Sequence, residues 1–175
     1  MSLVIAAPQA DEYAPYYGRY ISLVSGNDVL KTLRTESEKT LALLKNVTEA
    51  QAEVRYAPGK WSVKEVMGHM NDTERIFGYR ALRISRNDRT PIEGYEQDDY
   101  IRFGPFAHCR LEDLREEFHE IRKATLRLLG FLDEDGWDRK GIANKNEMSV
   151  RAVAYVIAGH ELHHRAILQD KYGIG

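Results

Sequence analysis

Two histidines four residues apart, His160 and His164, stand in the run His160-Glu161-Leu162-His163-His164 near the end of the sequence. Side chains at i and i+4 share one helix face with Cβ atoms about 6 Å apart, so both imidazoles can reach one ion. A third histidine, His69, lies far upstream in another segment of helical periodicity. Three neutral imidazoles form a ligand set for a first-row divalent metal that leaves one coordination position open, and open positions do chemistry. The stripe around the pair is otherwise apolar (Val153, Val156, Ile157, Ile167, Leu168), where an unpaired ring nitrogen costs about 1–3 kcal/mol. A metal satisfies one nitrogen on each ring. The plainer reading is a pair of core histidines bonded to backbone carbonyls or water.

His160-Glu161-x-x-His164 also spells the zincin pattern, in which the glutamate polarises a metal-bound water. The rest of that machinery is missing: no glutamate follows His164, and Ile167 stands where a metzincin needs glycine. Asp170 has the third-ligand spacing, but a continuing helix points it elsewhere. Glu161 therefore reads as a surface residue or one supporting a ligand from behind, and His163 falls on the margin of the stripe. A metal-bound histidine usually donates its other N–H to a carboxylate or carbonyl. Asp72, one turn beyond His69, is the candidate for that role, with Thr73 beside it. Weaker candidates are the thiol of His108-Cys109 and the acidic run Tyr95-Glu96-Gln97-Asp98-Asp99-Tyr100. That run reads as a solvated loop, with a lid over the site as its alternative. His119 reads as surface, and Trp61 as an anchor at a helix entry.

Four amphipathic segments must position these residues. The first opens at Asn27-Asp28 and repeats Leu30, Leu33, Ser37, Leu41 and Leu44. The second opens with the capping-box pattern Ser62-Val63-Lys64-Glu65 and continues through Val66, Met70, Thr73, Phe77, Ala81 and Ile84. The third repeats Leu111, Leu114, Phe118, Ile121, Thr125, Leu128 and Leu132; the fourth runs from Ser149 to a stop at Gly173. Only Tyr16–Tyr20 hints at a strand, and Thr48–Gln51 at a short turn. The periodicity predicts an all-α four-helix bundle forming a single domain over 1–175, with 1–26 as an N-terminal extension packed on it. Between the second and third helices lie about 22 residues, long for a structureless connection. A crossover along the bundle explains it and gives up-down-down-up order. That order also sets His69, about 10 Å into its helix, level with His164, about 12 Å from the end of its own.

Composition narrows the class. The 175 residues are 43% hydrophobic and 30% charged, ordinary for a globular protein, and the net charge of −2 with no basic run gives no nucleic-acid footprint. One cysteine rules out an internal disulfide framework and suits a reducing cytosol. No stretch approaches the roughly 20 apolar residues that span a bilayer, and the N-terminus lacks the pattern of a secretory signal. The expectation is a cytoplasmic protein acting on a small molecule, without nucleic-acid or membrane partners.

Pro58-Gly59-Lys60-Trp61-Ser62-Val63-Lys64-Glu65-Val66, then Gly68-His69, and the closing Ala158-Gly159-His160-Glu161-Leu162-His163-His164 together resemble the DinB-like (DinB/YfiT) metal-binding four-helix bundles. The resemblance spans roughly Tyr16 to Tyr172. It implies an up-down-down-up bundle, often a homodimer, holding nickel or zinc on His69, His160 and His164. It further implies either transfer of a low-molecular-weight thiol such as bacillithiol or mycothiol, or metal-dependent hydrolysis. A non-catalytic module in which the metal only braces two helices is the reading from a different functional class.

Overall fold

The computed structural model describes residues 4–175; Met1, Ser2 and Leu3 of the predicted extension lie outside the described residues. After a short α1 (Gly18–Ile21), the long helices α2 (Val29–Leu44) and α4 (Val63–Ser85) are separated by α3 (Glu49–Ala52). Then come α5 (Gln97–Phe103), α6 (Leu111–Gly130), α7 (Glu134–Asp138), a hairpin of β1 (Lys140–Ala143) and β2 (Asn146–Ser149), and α8 (Val150–Tyr172). The four long helices α2, α4, α6 and α8 make the bundle.

Their starts follow from local chemistry. Asp28, Ser62 and Ser149 each accept a backbone N–H of the first turn of α2, α4 and α8, and Glu65 completes the capping box at Ser62. α6 has no cap of its own; Glu49 of α3 accepts from Leu111 N at 2.8 Å and places a carboxylate at the positive helix end. Gly173, at φ 66°, closes α8 in the left-handed conformation.

Helix α4 packs against both α6 and α8, and α2 against the same two. Asn71 donates to Leu114 O, and one turn further Glu74 meets Arg122, so α4 and α6 run in the same sense. Tyr172, ending α8, donates to Trp61 O just ahead of α4, so α8 runs against α4. The core forms two clusters along the bundle, one around Val29, Phe77, Leu129 and Val153 and one around Leu44, Met67, Leu114 and Leu168. The extension packs on the first: Ile5 is buried, and Tyr155 donates to its carbonyl at 3.0 Å.

Three sequence expectations change. Tyr16–Tyr20 is no strand but a 3-10 turn at Pro15–Tyr17 running into α1, because Tyr17, Tyr20 and Ile21 face the bundle at helical spacing. The crossover is ordered by α5, a 3-10 turn at Phe106–His108, and Ile92, which accepts from Asn144 N and donates to Ile142 O. The segment 133–148 holds α7 and the hairpin, whose two-residue turn Asn144-Lys145 has φ 48° and 65°, as a tight turn between right-twisted strands requires.

The buried stripe of α6 is also rotated by one position from expectation. Arg122 and Leu129 are buried, whereas Ile121, Leu128 and Leu132 are half-buried. Arg122 is the reason. Its guanidinium takes Glu74 through two nitrogens at 2.8 and 2.7 Å, Glu161 at 2.7 Å and Leu33 O at 2.6 Å. Thr40 donates to the other oxygen of Glu161 at 2.6 Å, so all four long helices meet in one network. Burial opposes the Arg122 charge, but Glu74 and Glu161 outweigh it and hold the group protonated. Removing one member strands the others, which costs about 3–5 kcal/mol. Arg122→Leu is therefore expected to lower the free energy of urea unfolding by about that amount. An unchanged urea midpoint would show that the network carries no such role.

Candidate metal centre

His69 on α4 and His160 and His164 on α8 are brought together in the interior, all three buried. His69 Nε2 lies 2.9 Å from His160 Nε2, which lies 3.1 Å from His164 Nε2. A neutral imidazole nitrogen carries either one hydrogen or one lone pair, so His160 Nε2 cannot bond well to two rings at once. A cation satisfies all three lone pairs together. Nitrogens about 2.0–2.1 Å from one ion stand roughly 3 Å apart, close to the two spacings that His160 Nε2 makes. The residues fit a metal.

The protonation states agree. Burial, helped by the charge of His163, pushes His69 from 6.5 to about 4. His160 and His164 are also held well below 6.5, first by burial and then by the neighbouring histidines. Neutral rings are what a metal requires.

Two glycines let the ligand-bearing helices come this close to their surroundings. A Cβ on Gly159 would fall 2.0 Å from Tyr20 O, so only glycine lets α1 lie against α8 and set the Tyr20 ring edge-on to His160, centroids 5.3 Å apart. A Cβ on Gly68 would fall 2.2 Å from the Phe106 ring, which packs beneath the segment holding His69. Trp61 packs at a tilt against His69 with centroids 4.8 Å apart, beyond the helix-entry role expected of it.

The supporting residues differ from expectation. Asp72 is half-buried and faces Arg75 at 3.8 Å. The group beside His69 Nδ1 is Thr73, with Oγ1 at a long 3.5 Å, and Thr73 is bonded in turn to the Tyr95 hydroxyl at 2.7 Å. Glu161 is not a surface residue: it is 2% exposed and turned toward Arg122 and Thr40. Cys109 points to Pro105 O, and His108, His119 and Asp170 are exposed. His163 is half-buried against the Tyr20 ring.

One side of the cluster opens into a cavity of about 340 Å³. Its floor includes His69 and His160; Thr73, Phe77 and Arg80 continue along α4, and Tyr20 and Tyr95 stand on other walls. The acidic run is therefore not simply a solvated loop, since Tyr95 through Asp98 line this cavity. Sequence reasoning missed Tyr20, Arg80 and the Glu74–Arg122 pair. Arg80 and Arg122 carried a signal, because each sits on the buried stripe of its helix; Tyr20 carried none.

A helical bundle whose converging imidazoles could hold a metal ion beside an open cavity defines the class of fold. The DinB superfamily pattern matches residues 32–168, and the chain belongs to that superfamily. Among solved structures it is similar to YfiT from Bacillus subtilis, with a TM-score of 0.72 and 16% identity over 98% of this chain and 95% of that one. That protein is described as a probable metal-dependent hydrolase with an unusual four-helix bundle topology. A comparison with curated proteins finds no match. No helix of the described residues is long and apolar enough to cross a membrane.

The depressed histidines make metal-free stability depend on pH. Below 6.5 an unfolded chain takes up protons that folded His69 refuses until about 4, so stability falls as pH drops through that window. In chelator, wild-type protein is expected to lose more urea stability between these limits than His69→Gln, the difference disappearing above pH 7. Parallel losses in the two proteins would contradict the burial of a neutral His69.

Proposed function

We propose that this chain is a metal-dependent enzyme in which His69, His160 and His164 hold a divalent ion, nickel or zinc. Its reaction is transfer of a low-molecular-weight thiol such as bacillithiol to a small electrophile. The single observation that carries the enzymatic reading is the convergence of three neutral imidazoles, two of which, His69 and His160, line an open cavity. A site meant only to brace helices closes its fourth position with a side chain, and the two candidates, Asp72 and Cys109, face Arg75 and Pro105 instead.

When bound, the ion would lower the pKa of a fourth ligand, either a thiol or water. The chain's own residues supply the rest. Trp61 and Tyr20 pack against His69 and His160 and hold the imidazoles in place, and Thr73 with Tyr95 orients His69. Glu161 and Asp72, the carboxylates nearest the ligands in sequence, are both turned to arginines. With no free carboxylate beside the ligands among the described residues to act as base, the site suits a thiol nucleophile, which the ion would make acidic enough to lose its proton without one. The proton passes to solvent, the sulfur bonds to the electrophilic carbon, and the leaving group departs with the electron pair of the broken bond. Hydrolysis by activated water is the second reading, favoured by the description of the YfiT structure.

His69→Ala is expected to abolish stoichiometric zinc or nickel binding, measured by elemental analysis, while keeping most helical circular dichroism. Metal-loaded wild type is expected to conjugate an activated aryl halide with at least one of bacillithiol, mycothiol and glutathione, and to stop with chelator. Conjugation unaffected by chelation, or no thiol dependence alongside chelator-sensitive ester cleavage, would reject thiol transfer. Collapse of the His69→Ala fold would identify a structural metal.

A further inference from the structure

The bundle buries two arginines almost completely, and it treats them differently. Arg122, 2% exposed, is satisfied by two carboxylates. Arg80, 1% exposed, forms no ion pair among the described residues. One of its nitrogens donates to Glu93 O at 3.3 Å, its Cζ lies 4.7 Å over the Phe77 ring, and its Nε has no partner. A guanidinium cannot shed its charge, so burial without a counter-carboxylate carries a large desolvation cost. Structure elsewhere does not need that cost: the carbonyl and ring contacts would be available to a neutral side chain of the same reach. The charge is placed for something that enters.

What enters must come through the cavity, because Arg80 lines it together with His69 and His160. His69, Thr73, Phe77 and Arg80 follow one another at helical spacing along one face of α4, all four on the cavity wall. Arg80 begins about 16 Å of helix beyond His69, and long helical side chains lean back toward the N-terminus. Its position over Phe77 matches that lean and brings the guanidinium to on the order of 10 Å from the histidine cluster. The acidic residues on the cavity wall, Glu96 and Asp98, are exposed. The interior end is therefore cationic.

We infer that Arg80 is the anion-binding residue of the substrate cavity, so that the substrate is a small molecule bearing a carboxylate remote from its reacting group. The carboxylate pairs with the planar guanidinium while the reacting group meets the three-histidine cluster. This assignment rests on the cavity being the substrate site of the metal-dependent reaction above. It narrows the substrate to an anionic class.

Calorimetric titration tests it with succinate, adipate and their neutral diamides, using zinc-loaded and metal-free protein, wild type and Arg80→Met. Adipate or succinate is expected to bind wild type, and the diamides are expected not to. Arg80→Met is expected to weaken the dicarboxylate by about 10- to 100-fold, the loss typical of a charged hydrogen-bonded pair. Zinc content should stay unchanged, and Arg80→Lys should recover part of the affinity. Wild type binding diacid and diamide alike, or binding neither, overturns the assignment even if Arg80→Met fails to fold. So does an Arg80→Met protein with full dicarboxylate affinity. If zinc does not bind but metal-free protein still shows Arg80-dependent dicarboxylate binding, the metal reading fails and the anion site stands.

Discussion

A buried guanidinium cannot be neutralised, so the fold must bring carboxylates to it, and Arg122 makes that demand at the centre of this bundle. Glu74 from α4 and Glu161 from α8 answer it, with Leu33 O and Thr40 from α2 completing the set. Each contact fixes the rotation of a helix as well as its distance. Successive helical residues point about 100° apart, so turning Glu161 toward Arg122 turns the adjacent His160 toward α4. The same holds on α4, where Glu74 faces Arg122 while its neighbour Thr73 faces the cavity. The charge network on one side and the imidazole cluster on the other are two consequences of one helix orientation. Burial raises the Glu161 carboxyl against the pull of Arg122, so this brace is held by geometry and by several hydrogen bonds, not by one pair alone.

Close approach supplies the remaining precision. Each helix that brings a histidine to the cluster has glycine directly before it, Gly68 before His69 and Gly159 before His160. Those glycines admit the Phe106 ring and the Tyr20 backbone, which pack where a side chain would otherwise stand. The Tyr20 and Trp61 rings pack against His160 and His69, and both of these imidazoles face the cavity. Desolvation of this kind keeps the rings neutral and would strengthen the field of any ion they hold.

Much of this was legible in the residues. The α4 stripe Val66, Met70, Thr73, Phe77, Ala81 and Ile84 is buried throughout, and the caps at Asp28, Ser62 and Ser149 act where they were expected. The histidines could be gathered on helix faces because i, i+4 spacing is a local property. Arg122 went unread, and Glu161 was left between surface and support, because a charge inside an apolar stripe looks like its edge until the partner on another helix is seen. Tyr20 reaches the site from a four-residue helix with no periodicity to read, and only because glycine stands opposite it on α8. The hairpin escaped notice because Asn144-Lys145 lacks the glycine that usually marks such a turn.

X-ray absorption at the metal edge of zinc-loaded protein reads the coordination shell directly. The account requires three imidazole nitrogens at about 2.0–2.1 Å and one light-atom ligand that exchanges with added azide or thiol. A fourth ligand from the protein that resists exchange, a shell with fewer than three imidazoles, or no ordered zinc at all would contradict it.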